Sequence, residues 1–185
     1  MRIIAGSLKG RRLKAPTWDG LRPTSDKLRE TLFNILAPRI AGARVLDGYA
    51  GTGAAGIEAL SRGAASVTFV ERDRRAQALI ADNLAHCGVA DGYVIIRADM
   101  VRAIGQLRAA GLTFDIALLD PPYDQSADAE LTAVADLLAP GGIAVFEHPR
   151  RRRAPEQAAR LSRTREVTSG DSALSFYQSS FYETL

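Results

Sequence analysis

The chain has 185 residues, 46% hydrophobic, 24% charged and 6% aromatic, an ordinary globular composition with core enough for one domain. Its apolar runs are strand-sized, one cysteine (Cys87) excludes an internal disulfide, and no Cys/His cluster is spaced for a metal; a cytoplasmic protein without membrane span, secretory signal or metal is expected. The formal charge of +3 is segregated, with net +6 in residues 1–40, −6 in 41–149, +6 in 150–165 and −3 in the last twenty, which suits a polyanion on the flanks or a merely solvated basic surface.

Met1–Ala5 and Arg11–Ala15 are short strand-like runs joined by Gly6–Gly10, a predicted hairpin. Thr17–Arg22 reads as a loop. Thr24 or Ser25 is placed to cap a helix whose Leu28, Leu32, Ile35 and Leu36 recur at helical spacing to about Pro38. From residue 44 strands and helices alternate. A strand at Val45-Leu46 ends at Asp47, and a glycine-led helix covers Gly51–Leu60. Val67–Val70 ends at Glu71, and a helix follows over about Arg72–His86. Tyr93–Ile96 precedes a helix over about Val101–Ala110. Phe114–Leu119 ends at Asp120, and a helix over about Ala127–Leu138 is stopped by Pro140-Gly141-Gly142 before a strand at Ile143–Phe146. His148 ends that strand near the crevice rim. Arg160–Ser169 and Leu174–Tyr182 form a closing antiparallel hairpin. Continuous apolar strands between helices imply a parallel sheet covered on both faces. The ligand crevice of such a sheet lies beyond the strand carboxyl ends, where Asp47, Glu71 and Asp120 all fall.

Two motifs carry chemistry. Gly51-Thr52-Gly53-Ala54-Ala55-Gly56 is a GxGxxG loop after a strand, with Glu71 at the next strand end for ribose hydroxyls. A dinucleotide and S-adenosylmethionine both fit such a loop. Asp47, four residues before Gly51, repels a pyrophosphate but suits an ammonium and a sulfonium, and this favours the methyl donor. The second motif is Asp120-Pro121-Pro122-Tyr123. Its prolines lack N–H groups, so the loop offers a carboxylate and carbonyls as a rigid acceptor cluster for an exocyclic amine. Tyr123 adds a face for stacking a planar base.

These motifs resemble the Rossmann-like amino-group methyltransferases with an Asp/Asn-Pro-Pro-Tyr motif. The opening MRIIAG and KGRRLKAP, the run Arg22-Pro23-Thr24-Ser25-Asp26-Lys27-Leu28-Arg29-Glu30 and the terminal Gly170–Tyr177 narrow the resemblance to the bacterial 16S rRNA guanine-N2 methyltransferases of the RsmD type. The match runs nearly end to end. The family implies a seven-stranded, mostly parallel α/β sheet with a C-terminal antiparallel hairpin, preceded by a small β-hairpin-plus-helix extension. Residues 1–40 are expected to form that basic, RNA-binding extension and 41–185 the methyltransferase domain.

The resemblance implies roles residue by residue. Asp47, Tyr49, Gly51 and Gly53 line the methionine end of S-adenosylmethionine. Glu71 meets the ribose, Asp99 the adenine amine and Met100 the adenine ring. Asp120, Pro121, Pro122 and Tyr123 form the catalytic loop. Arg11, Arg12, Arg22 and Tyr123 contact a 16S rRNA substrate, on an assembled or assembling small ribosomal subunit, with the enzyme a monomer. Gly48-Tyr49-Ala50-Gly51 stands where the family carries Leu-Phe-Ala-Gly, so Gly48 is expected to loosen the strand end and Tyr49 to add a hydroxyl. The Arg150–Arg153 run is more basic than the family pattern. A similar enzyme acting on adenine N6 or a protein glutamine shares these motifs. A nicotinamide-dependent oxidoreductase leaves Asp47 and the Asp-Pro-Pro-Tyr loop unexplained, and an RNA-binding module without catalysis leaves the acids and glycines unexplained.

Overall fold

A computed structural model describes residues 1–19, 25–122 and 126–179. Its elements in chain order are α1 (Asp26–Ile40), β1 (Arg44–Gly48), α2 (Ala54–Ser61), β2 (Ser66–Val70), α3 (Arg74–His86), β3 (Tyr93–Ile96), α4 (Met100–Ala109), β4 (Phe114–Leu119), α5 (Ala127–Ala135), β5 (Leu138–Pro149), β6 (Gln157–Ala158), β7 (Leu161–Ser169) and β8 (Ser172–Ser179). The sheet order is β3-β2-β1-β4-β5-β8-β7-β6. Strands β1 to β5 run parallel, β8 enters antiparallel between β5 and β7, and the two-residue β6 adds an edge to the expected seven strands. The chain winds outward through β2 and β3, then returns to start β4 on the other side of β1. The switch point, where such sheets bind ligands, therefore lies between β1 and β4.

Alternate residues of each strand feed two cores. Val45, Val67, Phe69, Ile116, Leu118, Val145 and Phe176 pack with α1, α2 and α3. Leu46, Val70, Ala117, Leu119, Phe146 and Tyr177 pack with α4 and α5. Ile3 and Leu13 of the N-terminal segment and Leu28, Phe33 and Leu36 of α1 belong to the first of these cores. Ser25 caps α1, accepting from the Leu28 amide at 3.1 Å. Among the described residues, no helix is long and apolar enough to cross a membrane.

Two expectations change. The N-terminal hairpin forms but is short: Arg2 bridges Arg12, the Ile3 amide donates to the Arg11 carbonyl at 2.9 Å, the Gly10 amide to that of Ile3 at 2.9 Å and the Leu13 amide to that of Met1 at 3.2 Å. Its neighbouring amides go elsewhere: those of Ile4 and Ala5 donate to the buried Glu58 carboxylate of α2 at 2.8 and 3.0 Å, and that of Ser7 to the Ser61 carbonyl at 2.8 Å. With the Ala5 amide engaged by Glu58, the ladder stops at Ile3. The second change concerns α5, which ends at Ala135, while β5 begins at Leu138, ahead of the proline and glycines expected to precede it. Gly141 takes φ +74°, and a Cβ on Gly142 would stand 2.9 Å from the Ala139 carbonyl oxygen and 3.1 Å from that of Phe114. The glycines make a bulge, seen as a register shift against β4 between Phe114 and Ile116, and the strand continues through it.

Candidate active site

The loop after β1 is built on left-handed backbone. Tyr49, Gly51 and Gly53 have φ of 65°, 56° and 77°, a region glycine enters freely and tyrosine only with strain. Gly56 has a different task. A Cβ there would lie 2.2 Å from a ring atom of Phe69 and 2.8 Å from Val67, so its bareness lets α2 press onto β2.

Asp47, 4% exposed, reaches from β1 to the first turn of α2, where Oδ2 accepts from the Gly56 amide at 2.8 Å. Burial pushes its carboxyl up to about 7; the Gly56 bond opposes this and the nearby Glu71 adds to it. Glu71, just beyond β2, accepts from the Gly51 amide at 2.9 Å through Oε2 and from the Asp73 amide at 2.8 Å through Oε1. It thereby ties the glycine loop to the start of α3. Asp99 caps α4, accepting from the Arg102 amide at 2.9 Å, and Met100 beside it is buried.

Gly48 does not loosen its strand. It pairs with Val70 on one side and Leu119 on the other, and a Cβ there would sit 3.0 Å from Leu119 and 3.1 Å from Met100. The glycine fits the gap these side chains leave. The Tyr49 hydroxyl bonds the Glu130 carboxylate of α5; burial raises the phenol's pKa, and this bond raises it further. Burial likewise raises the Glu130 carboxyl, with the Tyr49 bond working against the rise.

These groups open on one cleft of about 1310 Å³ at the carboxyl ends of the strands, larger than a pocket for a single small ligand. It brings together Asp47, Tyr49, Gly51, Glu71, Asp99, Met100, Asp120, Pro121 and Pro122. Gly53 shapes the loop without lining the cleft. Arg11 and Arg12 lie elsewhere on the surface, and the Arg11 guanidinium donates to the Cys87 carbonyl at 2.8 Å. Arg22, Pro23, Thr24 and Tyr123 lie outside the described residues. His148 is buried, bonds Ser175 Oγ at 2.9 Å and does not line the cleft, whereas its neighbour Glu147 does.

Sequence reasoning missed Trp18, Lys27, Arg29, Arg75, Glu130 and Asp171, all of which line the cleft. Trp18, the only tryptophan in the chain, stacks under the Arg75 guanidinium at 5.0 Å. Its single occurrence was a signal, as was the place of Lys27, Arg29 and Asp171 within the motif runs Arg22–Glu30 and Gly170–Tyr177. The remainder are brought in by packing between distant segments.

A switch-point cleft with acids at the ends of β1, β2 and β4, in a sheet whose β8 is inserted antiparallel, defines a Rossmann-like methyltransferase domain. The family model described as conserved hypothetical protein 95 matches residues 1–178. Ribosomal RNA small subunit methyltransferase D of Escherichia coli (strain K12) is 37% identical over 181 residues, covering 96% of this chain and 89% of its own. YlbH of Bacillus subtilis (strain 168), which carries an rRNA methyltransferase name, is 39% identical over 181 residues, with 96% and 98% covered. The solved methyltransferase yhhF from Escherichia coli superposes with a TM-score of 0.84 at 37% identity over 97% of each chain. The chain belongs to this family, the RsmD-type small-subunit rRNA methyltransferases.

Proposed function

We propose that the protein methylates the exocyclic N2 amine of a guanine in 16S rRNA, with S-adenosylmethionine as donor. The observation that carries this reading is the sharing of one cleft by the Asp47–Glu71–Asp99 row and the Asp120-Pro121-Pro122 loop. The names of the two relatives support rRNA as the substrate.

The residues present fit the donor. A carboxylate has about four lone-pair sites, so Glu71, holding two amides, and Asp99, holding one, each keep capacity for ribose hydroxyls and for an adenine amine. Met100 offers an apolar surface for the adenine ring. The acidic wall from Asp47 suits an ammonium and a sulfonium, and the loop carrying Tyr49, Gly51 and Gly53 brings backbone close to the methionine end. When bound, S-adenosylmethionine supplies an electrophilic methyl group.

The chain's own task is to position the amine. Guanine N2 is a poor nucleophile because its lone pair is delocalised into the ring. Asp120 and the Pro121 carbonyl accept its two N–H hydrogens, which favours a localised lone pair and fixes its direction. Neither Pro121 nor Pro122 has an N–H to compete. Positioning of this kind supplies roughly 7–11 kcal/mol of a barrier. Tyr123 stacks the extruded base and offsets part of its unstacking. Arg11, Arg12 and Arg22, within the basic extension of residues 1–40, contact the rRNA through its phosphates. The enzyme works as a cytoplasmic monomer on an assembled or assembling small subunit.

The test is nucleoside mass mapping of 16S rRNA after incubation of unmodified small-subunit particles with the protein and S-adenosylmethionine. One new N2-methylguanosine is the expected product. Methylation only of adenine, or none in the presence of bound donor, overturns the assignment.

A further inference from the structure

The cleft is hostile to a polyanion. Its described lining carries nine carboxylates against four cationic side chains, and two of the four, Arg29 and Arg75, already pair with Asp26 and Asp73. A guanine drawn into it brings flanking phosphates to its mouth. Attraction for those phosphates has to come from the rim.

One rim segment has the required character. Leu119 of β4 lies beside Phe146 of β5, so Glu147 at the end of β5 stands alongside Asp120. Two residues further, β5 ends at Pro149 and four consecutive arginines, Arg150–Arg153, follow; all four are exposed. This turn is tied down at both ends. The Arg150 amide donates to the carbonyl of cleft-lining Asp171 at 2.7 Å, and the Arg152 amide to the Pro149 carbonyl at 2.9 Å. Beyond the run, Ala154 is buried and its carbonyl accepts from Arg163 at 3.0 Å, while the Pro155 carbonyl accepts from the Tyr177 hydroxyl at 2.7 Å. Four adjacent like charges on a fixed turn repel one another, a cost that an anionic partner removes. The same anchors hold the turn's backbone in place before any partner arrives.

We infer that the Arg150–Arg153 turn is a phosphate-contact surface for the rRNA strand flanking the target guanine, seated on the β5 lip of the cleft. This rests on the reading that a guanine enters that cleft. The guanidinium forks match phosphate oxygens, and the turn reads backbone rather than sequence.

The experiment compares wild type with Arg151→Gln/Arg153→Gln in binding to 16S rRNA as salt is varied, with methyl transfer and S-adenosylmethionine affinity followed in parallel. Each single-strand phosphate contact contributes about 0.7 to the log–log salt slope, so the slope should fall by about 1.4. Between 50 and 200 mM salt the wild type should then lose about sevenfold more affinity than the variant. KM for the particle should rise, with kcat at saturation and donor affinity within twofold. Arg151→Lys/Arg153→Lys should keep the slope. Arg44→Gln/Arg108→Gln, two charges at the opposite end of the sheet, should leave it unchanged. An unchanged slope in the glutamine variant, or an equal fall in the Arg44/Arg108 control, overturns the inference. If wild type methylates guanine and the variant's slope is unchanged, the turn is a solvated surface and the functional reading stands. If the slope falls as expected while no guanine is methylated, the turn is an RNA surface and the functional reading fails.

Discussion

Asp47→Asn separates the electrostatics of the cleft from its shape. The side chains are nearly isosteric, and an asparagine oxygen still accepts from the Gly56 amide, which Asp47 holds at 2.8 Å. What changes is the charge. The Asp47 carboxyl is pushed up to about 7, mainly by burial, from about 3.9 in an unfolded chain. Its folded-state pKa is raised, so the folded form binds the proton more tightly than the unfolded form. The associated stability is complete below pH ~4 and is lost as pH rises through ~7. Three pH units correspond to about 4 kcal/mol at most. Urea unfolding of the protein without donor, repeated from pH 4 to 8, should show wild type losing stability relative to Asp47→Asn across that window. The variant should be the more stable protein at pH 8. S-Adenosylmethionine binding to wild type should tighten as pH rises through ~7, because the ionised carboxylate then faces a cationic ligand, and this dependence should vanish in the variant. Parallel stability profiles for the two proteins would refute the reasoning, since they would mean that Asp47 ionises as freely folded as unfolded.

Other perturbations probe the frame. Glu58→Ala removes a fully buried carboxylate that accepts from the Ile4 and Ala5 amides and from Arg62 Nε at 2.8 Å, and it strips Arg29 of a counter-charge 3.9 Å away. A loss of about 3–5 kcal/mol is expected in chemical denaturation, with Glu58→Gln milder; a loss within 1 kcal/mol would mean the N-terminal segment is held by its apolar contacts alone. Gly56→Ala places a methyl against Phe69 and should cost about 1–3 kcal/mol through overpacking, read as a lower melting temperature, with a control Gly105→Ala at an open helical position leaving it unchanged or raised.

Much of the sheet was legible because parallel strands buried on both faces read as unbroken apolar runs, and Phe114–Leu119 matches its observed bounds. The acids at strand ends were legible because each interrupts such an apolar run, although Asp47 and Glu71 stay buried. The pairing of the two N-terminal runs was legible, but its early end was not, because the acceptor for the Ile4 and Ala5 amides is a glutamate more than fifty residues away. Nor was the start of β5, since Pro140-Gly141-Gly142 gives the same local signal for a chain stop and for a bulge. Glu130 and Trp18 join the cleft through packing between segments far apart in the chain, which no local spacing encodes. The Tyr49 hydroxyl was visible as a departure from the family pattern, but its partner on α5 was not.

The central claim is that the Asp120-Pro121-Pro122 loop holds the amine while the β1, β2 and α4 acids hold the donor. The direct measurement is single-turnover methyl transfer to small-subunit particles by wild type and Asp120→Ala, with S-adenosylmethionine binding measured alongside. Asp120→Ala should bind the donor as wild type does and transfer about 100–1000-fold more slowly, the loss of ~2.7–4 kcal/mol typical of one positioned catalytic hydrogen-bond partner. Normal donor binding with an unchanged transfer rate would contradict the account, because the tetrapeptide would then be a structural turn and the amine would be held elsewhere.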